Sequence, residues 1–182
     1  MKKILCIIAP IFTVAYSLLY ASLGGFSGNR SALSKIGLEH PLLFTIWGIT
    51  TAFTLFSNII IGFKRTKYKF YIALLAIAAV GMLLTLCFDF DYSKYAQYIL
   101  HCVGSLTFSA VTGITVFLLF LLTKNYPFAV ISALILIADL ILLLIFKETA
   151  LIELMPIFAG YIMLSVHNLR KEKEKIELIG KA

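Results

Sequence analysis

The sequence predicts an all-α, polytopic integral membrane protein: six transmembrane helices in one bundle, with both termini cytoplasmic. Three observations carry this. Of 182 residues, 61% are hydrophobic and only 14% are charged, about half the charged share of an ordinary soluble domain. Mean hydropathy is +0.99, more apolar surface than one small globular core can hide. The apolar residues also fall into continuous runs of bilayer-crossing length separated by short polar turns. Disorder is excluded by the same composition. A transmembrane β-barrel is excluded because its strands alternate over ten-residue segments.

The runs follow in order. Residues 4–24 carry no charge between Lys3 and Arg30. This exceeds the 7–15 residues of a signal-peptide core, so the segment reads as a retained helix. Pro10 within it is tolerable in a membrane helix. A polar segment, 25–41, is the longest connection. Residues 42–63 form the second span, closed by Lys64-Arg65-Thr66-Lys67-Tyr68-Lys69. Residues 70–88 form the third, followed by Asp89-Phe90-Asp91-Tyr92-Ser93-Lys94. The fourth, 97–122, is long enough to require tilt. Residues 128–146 form the fifth, interrupted by Asp139, and 150–169 the sixth. Residues 170–182 read as a charged cytoplasmic tail. One transmembrane domain accounts for the chain, without a soluble module or an internal repeat.

Orientation follows from the basic residues, which favour cytoplasmic segments. With the N-terminus inside, twelve Lys and Arg fall on inner segments and four on outer ones. The net charge of +7 thus reflects topology and lipid head groups, not nucleic acid. The expected location is the cell membrane, with membrane lipids as partners, and another copy or another membrane protein as a further possibility. Trp47, Tyr92, Tyr95, Tyr98 and Tyr126 fit interfacial aromatic belts. Cys6, Cys87 and Cys102 have no CxxC spacing and read as small buried hydrophobes; a Cys87–Cys102 bridge has no support from spacing.

This topology gathers polar side chains at the outer end. Glu39 and His40 enter the second span, Asp89 and Asp91 leave the third, His101 lies about one turn into the fourth, and Glu148 and Glu153 start the sixth. Such residues suit a metal ion or a general base, or are solvated helix ends. No motif names a cofactor: there is no Gly-rich phosphate loop, HExxH, GxSxG or HxxxH. His101, Ser105, Ser109 and Thr112 share one face of the fourth helix. Ser105, Ser109 and Gly113 form a small-xxx-small series, either a packing seam or the lining of an outward-opening crevice. Asp139 sits mid-span, where a charge needs pairing, protonation or water. Counting depth along the helices makes Thr54 and Thr112 its expected partners. His167 reads as interfacial, and Asn29-Arg30-Ser31 matches a glycosylation acceptor.

Ser31-Ala32-Leu33-Ser34-Lys35-Ile36-Gly37, then Pro41-Leu42-Leu43-Phe44 entering an apolar helix, with His101 entering the fourth span, resembles small six-helix bacterial membrane proteins similar to the DRAM/FRAG group. The matching positions are Ser34, Gly37, Pro41 and His101. The resemblance implies a six-helix bundle with an outward-facing loop and, by analogy with lipid-remodelling members, lipid handling. The leading expectation is a membrane protein binding a lipid or other amphiphile in an outward-opening polar crevice. The alternatives are an intramembrane metal-dependent hydrolase using His40, Asp89, Asp91, His101 and Glu153, and a small proton-coupled transporter centred on Asp139.

Overall fold

A computed structural model describes residues 2–26, 31–147 and 149–179, with side chains from residue 5 to residue 170. Asn29, Arg30 and Glu148 lie outside the described residues. The described chain is all helix and connection: α1 (Lys2–Ser22), α2 (Leu33–Glu39), α3 (Pro41–Phe63), α4 (Tyr71–Cys87), α5 (Tyr95–Leu122), α6 (Tyr126–Phe146) and α7 (Ala150–Ile179). Five helices, α1, α3, α5, α6 and α7, are long and apolar enough to cross a membrane, and α4 is a shorter apolar helix of 17 residues. The protein is a multi-pass helical membrane protein.

Two features differ from the sequence expectation. The polar connection 25–41 contains a helix, α2, that buries Leu33, Ile36 and Gly37 on one face. Seven residues are too few for a 3.6-residue period to stand out in a polar stretch. The last helix runs on to Ile179; the charge run from Arg170 ends the apolar part without ending the helix. Lys, Glu and Arg are strong helix formers, and no Gly or Pro follows until Gly180.

The helices pack as α1–α3–α7 on one side and α4–α5–α6 on the other, with α3 also touching α4 and α5. The α4–α5 contact is the most extensive, because Gly81 and Gly104 let the two backbones meet. A Cβ on Gly104 would lie 2.7 Å from the Gly81 carbonyl oxygen and 2.7 Å from the Thr85 nitrogen. Neither is a flexible atom that can move aside. The close α4–α5 approach therefore uses the Gly81/Gly104 face and not Ser105/Ser109.

Buried polar side chains connect α1, α3 and α7. Thr13 and Thr54 share a hydrogen bond of 2.8 Å, and the Trp47 indole N–H donates to Ser17 at 3.0 Å. Asn58 donates to the Leu5 carbonyl at 3.1 Å, and Asn168 donates to the Asn58 carbonyl at 3.0 Å. Such bonds satisfy groups that hydrocarbon cannot solvate. The α5–α6 turn closes with a Schellman arrangement. Lys124 takes a left-handed φ of 57°, and the Asn125 N–H reaches the Phe120 carbonyl at 2.8 Å, which satisfies the last turn of α5. Only Ala129 and Ser132 of α6 are buried, so α6 lies at the edge of the bundle.

Candidate functional site

At one end of the bundle, α2 is tied down by residues distant in sequence. No side chain caps it locally. Instead the Glu153 carboxylate, from the first turn of α7, accepts the Leu33 N–H at 3.0 Å, and the Tyr20 hydroxyl donates to the Leu33 carbonyl at 2.8 Å. A carboxylate at a helix start is favourable on both charge and hydrogen-bonding grounds. Gly37 packs flat on Phe44; a Cβ there would lie 2.8 Å from the ring. Pro41 occupies the first turn of α3, where its missing N–H costs nothing.

His101 is the centre of this end. It is 2% exposed and both ring nitrogens are engaged. Nδ1 lies 2.8 Å from the Phe88 carbonyl oxygen, and Nε2 lies 2.8 Å from Ser34 Oγ. A carbonyl only accepts, so in the neutral ring Nδ1 carries the proton and Nε2 accepts from the Ser34 hydroxyl. The ring also stacks on Phe44, with centroids 6.0 Å apart, and meets Phe90 edge-on at 5.2 Å. One imidazole thus joins α2, α3, α5 and the end of α4. A hydroxyl held against an imidazole whose other nitrogen is fixed by an acceptor is also the arrangement of an activated nucleophile.

Below this cluster lies a cavity of about 430 Å³, within the size range of small-ligand sites. Ser34, His101 and Glu153 line it towards the α2 end, and α5, α6 and α7 form most of its wall. Ser105, Ser109 and Thr112 of α5 line it, as do Ser132 and Asp139 of α6. Leu106, Ile114, Ile137 and Leu140 line it too and are 47–57% exposed on the outside of the bundle. The cavity therefore reaches the lipid-facing surface between α5 and α6.

The other sequence candidates lie elsewhere. Glu39 and His40 are exposed at the α2–α3 junction. Asp89 pairs with Lys94 at 3.1 Å, both exposed. Asp91 accepts from the Ser93 hydroxyl at 2.8 Å and the Ser93 N–H at 2.9 Å; these bonds hold its carboxyl below the usual range. Asp89 borders a separate recess of about 40 Å³ that also includes Ser34, Gly37, Pro41 and His101. Among the described residues, no three His, Cys, Asp or Glu side chains are placed to hold a metal ion. Cys6 is buried, Cys102 is half-buried and Cys87 is exposed, so the expectation of small buried hydrophobes fails at Cys87.

Asp139 does not have the expected partners. Thr54 pairs with Thr13 instead, and the Thr112 hydroxyl is buried without a partner among the described residues. Helix depth alone misassigned Thr54, because it does not say which helices are neighbours: α3 packs against α1, α2, α4, α5 and α7 rather than against α6. Ser132 is a lining residue that sequence reasoning passed over. It lies seven residues before Asp139, two helical turns along the same face, and that spacing was the available signal.

Compared with known proteins, the chain matches no family model, no curated protein and no solved structure.

The Ser34–His101 bond has a measurable consequence. Ser34→Ala leaves a buried imidazole nitrogen without its donor, which costs about 1–3 kcal/mol. Thermal unfolding in detergent is expected to show that loss, while Glu39→Gln at an exposed position stays within about 0.5 kcal/mol of the parent. Equal melting temperatures for the two variants would show that the hydrogen bond does not hold this end together.

Proposed function

We propose that the protein binds a lipid or other amphiphile in the cavity between α5, α6 and α7. The observation that carries this reading is the cavity's shape and lining. It is about 430 Å³, mostly apolar, carries a few hydroxyl and carboxylate groups contributed by several helices, and reaches the lipid-facing surface. Apolar walls with a few placed polar groups are what an amphiphilic ligand requires. The test is mass spectrometry of the purified, delipidated protein. A retained amphiphile is expected in stoichiometric amount. Ser109→Trp, which places an indole inside the cavity, is expected to reduce retention sharply with the fold intact. No retained molecule in repeated preparations would overturn the reading.

The protein on this reading resides in the cell membrane with six crossings and both termini inside. The support is geometric and electrostatic. The connections on either side of α4 lie at opposite ends of the bundle, since Phe88 meets His101 and Arg65 meets Asn168. Seventeen residues rise about 26 Å, at the short end of what a bilayer accepts. The end bearing Arg65 and Lys124 holds the larger share of basic residues. In a Cys87→Ser background, Glu39→Cys is expected to react with a membrane-impermeant thiol reagent added to intact cells, and a reporter fused after Ala182 to read cytoplasmic. The reverse pattern would invert the bundle.

The Ser34–His101 geometry favours a second reading, in which the same end performs acyl transfer. The Ser34 hydroxyl, deprotonated by His101 Nε2 as it attacks, would take an acyl group from an ester, and the departing alcohol would recover the proton. A fluorophosphonate probe is expected to label the protein and to fail with Ser34→Ala and His101→Gln. An unlabelled parent protein would remove this reading and leave the binding reading standing.

A further inference from the structure

The charge character of the cavity selects among amphiphiles. Among the described residues its lining includes two carboxylates, Asp139 and Glu153, and no Lys or Arg, in a chain where basic residues outnumber acidic ones 16 to 9. Glu153 is engaged with the start of α2. Asp139 is not comparably held. It is half-buried on α6 and has no hydrogen bond or ion pair among the described residues. Thr112, on α5, is 5% exposed, and its hydroxyl has no partner among them either. Thr112 and Asp139 line the same cavity from adjacent helices, and the Thr112 hydroxyl, closed off from the cavity, has to turn towards it to take a donor.

Each group states a requirement. A carboxylate within a bilayer needs a proton, a cation or water. A buried hydroxyl offers lone pairs to a donor, and leaving it unpaired is costly. An ammonium group supplies both, with a positive charge for Asp139 and an N–H for Thr112. An anionic group would meet two carboxylates with no basic residue to offset them. Asp139 lies seven residues from Phe146 at the end of α6, about 10 Å along the helix axis. A phosphate attached to the amine would therefore also have to enter the apolar interior.

Resting on the amphiphile reading above, we propose that the ligand is a protonated long-chain amine without a phosphate, its nitrogen at Asp139 and Thr112 and its alkyl chain along the apolar wall. The experiment uses the full chain in phosphatidylcholine nanodiscs at neutral pH, with empty nanodiscs as background. Dodecylamine, dodecanol and dodecanoate share one chain and differ only in the polar group. Dodecylamine is expected to bind about tenfold more tightly than dodecanol, as one charge-assisted contact implies, with dodecanoate the weakest. Asp139→Asn is expected to bring the amine down to the affinity of the alcohol with the melting temperature unchanged. Thr112→Val is expected to weaken the amine about threefold, less than the loss at Asp139 because only the donor of this hydrogen bond carries a charge. This second variant carries the test if Asp139→Asn does not fold. Equal affinity for the three probes, or amine binding unchanged in both variants, would overturn the amine assignment and leave the amphiphile reading intact. Binding of none of them by the parent protein would overturn both.

Discussion

Inside a bilayer a polar group has no solvent to fall back on, and the positions of the helices follow from where such groups find partners. From mid-bundle to one end, Thr13, Thr54, Asn58 and Asn168 bond one another or a neighbouring backbone carbonyl, which sets α1, α3 and α7 side by side. At the other end, His101 spends both ring nitrogens on the Phe88 carbonyl and Ser34, while Glu153 and Tyr20 hold Leu33. Apolar packing alone would leave the rotation of each helix loosely specified, since lipid tails are as apolar as Leu. These hydrogen bonds set which face turns inward.

The same constraint directs attention to the groups it leaves out. Thr112 and Asp139 border the cavity without partners among the described residues. Both belong to α5 and α6, the pair whose separation opens the cavity. Helix α6 is the least buried of the long helices, and α5 and α7 are the two helices that hold it in place. A ligand completing the hydrogen bonding here would also stabilise the placement of α6. Binding and local stability are then linked, because an occupant that favours one arrangement of the helices raises its population.

The α2 segment shows how a short element gains order from distant parts of the chain. Seven residues cannot sustain a helix alone, because nucleation is unfavourable and the end groups are unsatisfied. Residues from α1, α3, α5 and α7 supply the missing interactions, through Tyr20, Phe44, His101 and Glu153. Asp89 and Asp91, equally polar and near in space, are satisfied locally by Lys94 and Ser93. Their bonds span five and two residues and so contribute nothing to the packing of the helices.

Composition and run length by themselves determined an all-α membrane protein and placed the long apolar helices, since hydropathy acts through the number of consecutive apolar residues and needs no knowledge of neighbours. Spacing on one helix was equally legible. Ser105, Ser109 and Thr112 share a face, and the structure places all three along one cavity. What only the tertiary structure decided was pairing between helices. Thr54 turned to Thr13 and not to Asp139, the close α4–α5 approach fell on Gly81 and Gly104, and the charged residues at the α2 end divided between Glu153 of α7, bound to the start of α2, and solvent-exposed turns. Depth along a helix follows from counting residues, but the direction a side chain faces across the bundle depends on the rotation of every packed neighbour, and no single segment of the sequence contains that.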